Sequence, residues 1–354
     1  MKAQAVAQAM VRGLKRVSPH LEVSIYPMAS GGSGTTDLAV RVAGGRVRHE
    51  TILPSGRRPR DVKWAMLPDG TAILDARDAM GNPDGPTQLN KAYTNSQPLG
   101  EMLKRLIERR PRRIVVALGD VLAADGGMSL LQSFGVTARN EYGEVLTSGA
   151  RSLLYLHHVD FSDLTPPAVP IVALTDEEYS WNQRVQQPDF RLDLIHGGLT
   201  TASSRYVDFL GEHIRMPLAD LAGSGVGGGL GMALAFLGAG FEPGAQYLAK
   251  LGALADLMQD VDWVVTGSTN LGAESEHQAV GTVAHLAREA GLSAVALTLS
   301  LNPGHLDLYD AGLSGIYPVL DRPRSNRDAY RALPSLIEKA AFRTGYWMQA
   351  MSEI

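Results

Sequence analysis

The chain has 354 residues, of which 45% are hydrophobic and 20% charged, and it contains no cysteine. These values are typical of globular proteins, and the length allows two domains at roughly 150 residues each. The absence of cysteine excludes disulfides, thiolate metal sites and iron–sulfur clusters, and it fits the reducing cytoplasm in which we expect the protein. The net charge of −4 argues against a general nucleic-acid binder.

The amino-terminal residues begin with a helix and a strand. Apolar spacing predicts a helix over residues 6–17 and a strand over 21–26. A glycine turn at 30–34 precedes a second helix that begins at Thr35. Between residues 47 and 74, short apolar runs alternate with turn signals, which is typical of antiparallel hairpins.

The rest of the chain returns to alternating helices and strands. A helix is predicted over 99–109 and a buried strand over 114–118. Further alternating strands and helices are predicted at 261–266, 279–290, 294–299, 305–311, 316–320 and 326–351. This alternation indicates a parallel sheet with helices on both faces.

Both ends of the chain share this alternation of strands and helices, whereas the middle of the chain has the pattern of hairpins and irregular segments. We therefore predict an α/β fold with a parallel doubly wound sheet domain and a second, mixed α/β domain inserted into it. The first domain is expected to comprise residues 1–45 and 262–354, and the inserted one residues 46–261.

The uncharged run from Leu221 to Phe241 has the length of a membrane span. A run with so many glycines inserts only weakly into a lipid bilayer. We therefore predict a glycine loop followed by a buried helix at this position, and we predict no membrane partner.

Two glycine-rich loops follow predicted strands. The first spans residues 28–35, where backbone N–H groups at a helix start suit a phosphate or a carboxylate. A tight connecting turn is the alternative. The second spans 118–127 at the carboxyl end of a buried strand, where ligands bind in open α/β sheets. Its Asp125 is a candidate for holding a metal or a substrate hydroxyl, and capping a helix is the alternative.

A third glycine loop spans residues 223–231, in which Gly223, Gly225 and Gly228 satisfy G-x-G-x-x-G. This motif indicates a dinucleotide site only where it directly follows a buried strand. No strand is predicted there, so the sequence argues against a dinucleotide site. A loop that binds a nucleotide phosphate in another way is the remaining alternative.

Asp176 follows the strand-like run 169–174 and is the first of three consecutive acidic residues. It either contributes a carboxylate to a metal site or lies in a solvated loop.

In this order, the loops resemble those of the bacterial glycerate kinases that carry no Walker motif. M-A-S-G-G-S-G-T at 28–35 is similar to the family's M-A-D-G-G-E-G-T. G-D-V-L-A-A-D-G-G at 119–127 is similar to G-G-S-A-T-N-D-G-G, and G-S-G-V-G-G-G-L-G at 223–231 to G-A-G-A-A-G-G-L-G. V-T-G at 265–267 begins the family's fourth motif, V-T-G-E-G-x-x-D-x-Q-T. The resemblance extends along nearly the whole chain.

The resemblance implies an ATP-dependent kinase that phosphorylates a hydroxyl of glycerate, or of a similar hydroxy acid, with Mg²⁺. It implies catalytic or metal-binding roles for Asp125 and Asp176. Residues implied to bind phosphate or substrate are Gly31, Gly32, Gly34, Thr35, Gly119, Gly126, Gly127, Gly223, Gly225, Gly228, Thr266 and Gly267.

The chain also departs from the family pattern. Charged family positions are occupied by Ser30, Ser33, Ser268 and Gly272. Phosphoryl transfer depends on charge neutralisation, so we expect impaired catalysis. The opposite hypothesis is that carboxylates replace the lost charges, the candidates being Asp120, Asp125, Asp176 and Glu274. A non-catalytic relative that binds a small organic acid or a nucleotide is the alternative function, and a dinucleotide-dependent oxidoreductase is a weaker one.

A further departure concerns the start of the chain. The family opens with a strand and a D-S-F-K-G-like segment before its first helix, and this sequence begins at that helix. A parallel sheet without one of its strands leaves backbone groups unpaired on the neighbouring strands. We therefore expect a gap or a free edge in the sheet where that strand would lie.

Overall fold

A computed structural model describes five stretches of the chain, residues 3–53, 59–81, 95–121, 123–187 and 198–352. The chain divides into two compact units, one formed by residues 1–29 and 248–354 and the other by residues 30–247. Both units mix helices with parallel strands, which confirms the predicted α/β class. The predicted domain limits, after residues 45 and 261, lie further along the chain than these divisions and stay a prediction.

The elements are numbered in chain order. The strands are β1 (Arg46–Ile52), β2 (Arg60–Met66), β3 (Thr71–Asp75), β4 (Arg113–Ala117), β5 (Thr137–Arg139), β6 (His158–Asp160), β7 (Ile171–Thr175), β8 (Gly240–Pro243), β9 (Trp263–Leu271), β10 (Ser293–Leu301) and β11 (Leu313–Pro318). The helices are α1 (Ala3–Lys15), α2 (Thr35–Ala43), α3 (Ala76–Met80), α4 (Gln97–Glu108), α5 (Met128–Gln132), α6 (Trp181–Arg184), α7 (Leu199–Ile214), α8 (Leu230–Phe236), α9 (Gly244–Leu251), α10 (Leu254–Leu257), α11 (Ala279–Glu289), α12 (Asp307–Ala311) and α13 (Asn326–Ser352).

The unit of residues 30–247 contains a six-stranded sheet in the order β1-β2-β3-β4-β7-β8. Strands β1, β2 and β3 pair antiparallel, which confirms the predicted hairpins. Strands β3, β4, β7 and β8 pair parallel. All residues of β3 are buried, as are those of β4 from Ile114 onward, which is typical of parallel strands covered on both faces. Trp64, Leu103 and Val116 belong to the resulting apolar core.

The unit of residues 1–29 and 248–354 contains a parallel sheet in the order β11-β10-β9. Neighbouring side chains of a strand point to opposite faces of its sheet. On β10, Leu297 packs with α1 and α13, whereas Ala296 packs with α11 and α12. Helices therefore cover both faces, as in a doubly wound sheet.

The strand predicted over residues 21–26 is wrong. Leu21, Val23 and Ile25 are half-buried and alternate with exposed Glu22 and Ser24, as in a strand. Among the described strands, however, none pairs with this segment, and a strand exists only where a neighbour accepts its hydrogen bonds. In the part of the chain that the structure describes, β9 pairs only with β10 and β11 only with β10, so these two strands form the edges of the sheet. Whether either edge is the one expected from the sequence stays a prediction.

The run from Leu221 to Phe241 contains the third glycine loop and then α8, whose residues Leu230, Met232 and Leu234 are fully buried. This confirms the predicted loop and buried helix. In the stretches that the structure describes, no helix combines the length and the apolar character that crossing a bilayer requires.

Candidate functional site

The candidate site lies in the unit of residues 30–247, where its parallel strands end. Asp75 is the last residue of β3, Asp120 follows β4, Asp176 follows β7 and Gly244 follows β8. Because parallel strands end at the same edge of their sheet, these residues come together there. Ligands of open α/β sheets bind in the crevice outside this edge.

The first glycine loop lies across these strand ends. The Gly119 N–H donates a hydrogen bond to the Gly31 carbonyl at 2.9 Å. A Cβ atom on Gly244 would overlap the Gly31 Cα, and one on Gly119 would lie 2.8 Å from the Gly32 Cα. The glycines therefore allow three backbone segments to approach each other, which a larger residue would prevent.

Asp75 anchors the far end of this loop. Its Oδ2 accepts the Gly34 N–H at 2.7 Å, and its Oδ1 accepts the Thr36 N–H at 2.9 Å and the Thr36 hydroxyl at 2.8 Å. Burial raises the pKa of the Asp75 carboxyl, and these hydrogen bonds oppose the rise. Thr35 is also buried, and its hydroxyl donates to the Gly32 carbonyl.

Two carboxylates flank the middle of the loop. The Ser33 N–H donates to Oδ2 of Asp120 at 3.2 Å. Burial raises the pKa of Asp176 to about 6, with further contributions from the negative charges of Glu177 and Asp120. A Cβ atom on Gly119 would lie 2.9 Å from Oδ2 of Asp176. Asp176, Gly119 and the glycine loop are therefore brought together, and their roles in binding or catalysis stay predictions.

A basic side chain completes this group of residues. Arg77, in the first turn of α3, donates from Nη1 to the Ser33 hydroxyl at 3.4 Å. Sequence analysis singled out neither Arg77 nor Asp75. The available signal was the position of Asp75 at the carboxyl end of the apolar strand T-A-I-L-D, two residues before Arg77.

Asp125 has a different environment from Asp176. It is fully buried, and its Oδ2 accepts the Ser96 N–H at 2.9 Å and the Ser96 hydroxyl at 2.7 Å. Its Oδ1 accepts the Gly127 N–H at 3.1 Å. Gly126 and Gly127 have positive φ angles of 57° and 75°, which the tight turn requires. The carboxylate thus organises the second loop, and its catalytic role stays a prediction.

The third glycine loop packs against the second. The N–H groups of Gly223 and Gly225 donate to the carbonyls of Glu178 and Tyr179. A Cβ atom on Gly228 would overlap the Ala123 carbonyl. The segment before the loop, residues 198–222, contains α7 and a short 3₁₀ helix and no strand. The context that a dinucleotide-binding motif requires is therefore not found here.

Thr266 and Gly267 belong to the other unit, where they lie in β9 rather than in a loop. Gly267 packs closely on β10, since a Cβ atom there would overlap the Leu297 carbonyl. Ser268 and Glu274 belong to the same unit. The residues of the fourth motif are thus part of a strand and of the segment that follows it.

Asp120 and Asp176 are the residues of the site that fit a metal ion. Among the described residues, no cluster of three or more histidines, aspartates or glutamates has the arrangement of a metal site. Mg²⁺ commonly uses one or two carboxylates and takes its other ligands from substrate phosphates and water. A cation beside two carboxylates would also offset the repulsion that contributes to the raised pKa of Asp176.

These features define an α/β protein with a candidate small-molecule site at the carboxyl edge of a largely parallel sheet. The model of the glycerate kinase family matches residues 1–179 and 197–349, and the chain belongs to this family.

The chain is 26% identical to a glycerate kinase of Halalkalibacterium halodurans, over 96% of this chain and 93% of that protein. It is also 26% identical to the glycerate 2-kinase of Escherichia coli K12, over 94% and 90% of the two chains. A crystal structure of a proposed glycerate kinase 2 from Salmonella typhimurium LT2 shares the fold. It has a TM-score of 0.72 and 22% identity, over 100% of this chain and 96% of that one.

Proposed function

We propose that the chain binds glycerate, or a similar small hydroxy acid, and transfers a phosphoryl group to its hydroxyl from ATP at a low rate. The observation that carries this proposal is the meeting of Asp176, Asp120 and the first glycine loop at one sheet edge. Family membership supplies the reaction class, and the curated relatives named as glycerate kinases support the substrate.

In this proposal, Asp120 and Asp176 hold Mg²⁺, which when bound neutralises charge on the transferred group. Asp176 must be ionised for this role. The proposed Mg²⁺ site is therefore competent to bind the ion only above a pH of about 6. Arg77 binds the carboxylate of the acid or a phosphate oxygen, since a guanidinium recognises both groups. Asp75 positions the glycine loop through Gly34 and Thr36 without touching substrate.

The low rate follows from the charges at the site. Ser30 and Ser33 are neutral at positions where the family motif is acidic. The backbone N–H of Ser33 donates a hydrogen bond to Asp120. Removing one electrostatic contribution from an active site costs roughly 10²-fold or more in rate. Asp120 and Asp176 compensate for part of this loss.

The second candidate is a binding protein that does not catalyse phosphoryl transfer. The observation that favours it is that Ser30 and Ser33 are neutral at positions where the family motif is acidic. Under this alternative, Arg77 and the loop bind a small organic acid, and ATP is not consumed.

A coupled assay with ATP, Mg²⁺ and D-glycerate separates the two candidates when it is run beside calorimetric titration with glycerate. Slow turnover below the roughly 1–100 s⁻¹ of typical kinases supports the first candidate. Glycerate binding without any turnover supports the second. If neither turnover nor binding is measured, both are rejected.

A further inference from the structure

The unit of residues 1–29 and 248–354 contains a cavity of about 460 Å³ where β11 leads into α13. β11 ends at Pro318 and α13 begins at Asn326, so the cavity lies beyond the carboxyl end of a parallel strand. Ligands of open α/β sheets bind outside this edge. Three of the residues that line the cavity are arginines, namely Arg322, Arg324 and Arg331. We call this space the β11 cavity.

Arg324 is held in place by a neighbouring carboxylate. Its Nε and Nη2 atoms donate hydrogen bonds to Oδ1 of Asp321 at 3.1 and 2.7 Å. These bonds lower the pKa of the Asp321 carboxyl, which keeps it ionised. The N–H groups on Nη1 of Arg324 take no part in this pair and stay available for an acceptor in the cavity.

The other two arginines are not neutralised in this way. Arg322 and Arg331 are exposed, and they form no ion pair with any carboxylate in the stretches that the structure describes. Their positive charges therefore have no partner in the unit to which they belong. Like charges that converge on one space repel each other, and an anion between them removes this repulsion.

Asp328 also lines the β11 cavity, and its carboxylate is engaged at the start of α13. Its Oδ2 accepts the Ser325 hydroxyl at 2.7 Å, and Oγ of Ser325 accepts the Asp328 N–H at 3.2 Å. A reciprocal pair of this kind caps a helix. Three arginines and one aspartate give the lining a net charge of +2. The lining is therefore suited to an anion with more than one negative charge.

We propose that the β11 cavity binds a small phosphate monoester. A guanidinium recognises phosphate oxygens through two parallel N–H bonds, a geometry that lysine does not offer. Three guanidinium groups provide more donors than a single carboxylate accepts, whereas a phosphoryl group presents three strong acceptor oxygens.

The size of the cavity favours an ester over the free ion. Its volume lies in the range of roughly 300–1,000 Å³ that is typical of small-molecule sites, so the organic part of an ester fits beside its phosphate. The arginines of this cavity lie outside the candidate functional site, and the inference does not rest on the proposed function.

The test uses the full chain and glycerol 3-phosphate, a phosphate monoester without a carboxylate. Calorimetric titration measures its Kd, and hydrogen exchange locates the binding. At a concentration of about ten times the Kd, exchange over residues 319–332 should slow by about tenfold. Inorganic phosphate should bind more weakly than the ester, and propionate, which carries a carboxylate alone, should give no protection there.

A matched pair of variants in α13 tests the role of the arginines. Arg331 lines the β11 cavity, whereas Arg327 is exposed on the same helix and does not line it. Arg331→Gln should weaken binding of the ester by about tenfold, because a charge-assisted hydrogen bond is lost. Arg327→Gln removes the same charge and should change the Kd by less than about twofold, since salt screens a distant charge. Circular dichroism checks that both variants are folded.

Several results would overturn the proposal. Equal losses in Arg331→Gln and Arg327→Gln would show an effect of net charge alone. Protection outside residues 319–332, or a loss of affinity in Arg77→Gln instead of Arg331→Gln, would place the ester in another site. Propionate or inorganic phosphate binding as tightly as the ester would reject the assignment of a phosphate monoester, and so would the absence of any binding.

Discussion

Oδ2 of Asp75 accepts the N–H of Gly34 at 2.7 Å, and this hydrogen bond ties the end of β3 to the first glycine loop. The other oxygen, Oδ1, accepts two donors of Thr36. Both oxygens are thus used to fix the start of α2. The shape of the loop therefore depends on a residue that lies outside every motif of the sequence.

Replacing Asp75 with asparagine should weaken both stability and ligand binding. An amide NH₂ must then face either the Gly34 N–H or the Thr36 donors, which leaves a buried donor unsatisfied. We expect the free energy of unfolding to fall by about 2 kcal/mol, measured by urea denaturation. Asp163→Asn, at an exposed position of the same unit, is the control and should change it little. Equal stability of the two variants would contradict the anchoring role.

Replacing Asp176 with asparagine should stabilise the fold above pH 6. The folded-state pKa of Asp176, about 6, lies above its ordinary value, so the folded chain binds more protons than the unfolded one between about pH 4 and 6. Its contribution to stability is therefore lost as the pH rises through this window, by at most about 3 kcal/mol. The Asp176→Asn variant should not show this decrease in the free energy of unfolding. Urea denaturation of both proteins at pH 4.5 and pH 8 measures the difference. Glu178→Gln, an exposed acid two residues on, should leave the pH dependence as it is.

The same titration sets a pH dependence for metal binding. The proposed Mg²⁺ affinity requires ionised Asp176, so it should fall as the pH decreases through about 6. Calorimetry of Mg²⁺ binding in the presence of ATP at pH 5 and pH 8 measures this change. The Asp176→Asn variant should show weak binding at both values. Equal affinity of the unmodified chain at both pH values would contradict the metal role.

Much of the fold follows from local sequence patterns. The periodic helix at 326–352 and the apolar strands β4 and β10 were predicted within a few residues, because their patterns are long or strongly apolar. Residues 21–26 have an equally good strand pattern and form no strand, since pairing depends on a neighbour that the local pattern does not report.

The site could be predicted only in part, for the same reason. The glycine loop and Asp176 stand in recognisable positions, after or between predicted elements. Asp75 and Arg77 belong to no motif, and only folding brings them to Gly34 and Ser33. Asp125 stands in a motif, yet the donors that surround its carboxylate include Ser96, 29 residues away in the chain.

Replacing Arg77 with glutamine should weaken glycerate binding by about tenfold, because one charge-assisted hydrogen bond is lost. Calorimetric titration with glycerate measures the effect. Lys104→Gln, an exposed position on α4 of the same unit, also removes one positive charge and serves as the control. If both variants lose affinity equally, the effect is one of net charge and the role of Arg77 is rejected.

Replacing Gly119 with alanine should disturb the whole candidate site. The added Cβ would lie 2.8 Å from the Gly32 Cα and 2.9 Å from Oδ2 of Asp176, so the loop and the carboxylate must separate. We expect glycerate binding to be lost and the unfolding free energy to fall by about 1–3 kcal/mol. Gly240→Ala is the matched control, because an added Cβ there meets no atom within 4 Å. Retention of binding by Gly119→Ala would show that substrate binds elsewhere.

The most direct test of the central claim is the rate at which phosphoglycerate forms from ATP and D-glycerate, followed by ³¹P NMR. The unmodified chain should form it at less than about 1 s⁻¹, and Asp176→Asn should be at least about 10²-fold slower. The Glu178→Gln control should match the unmodified chain. An unchanged rate in Asp176→Asn would contradict the assignment of the site, and turnover of roughly 1–100 s⁻¹ by the unmodified chain would contradict the claim of impaired catalysis.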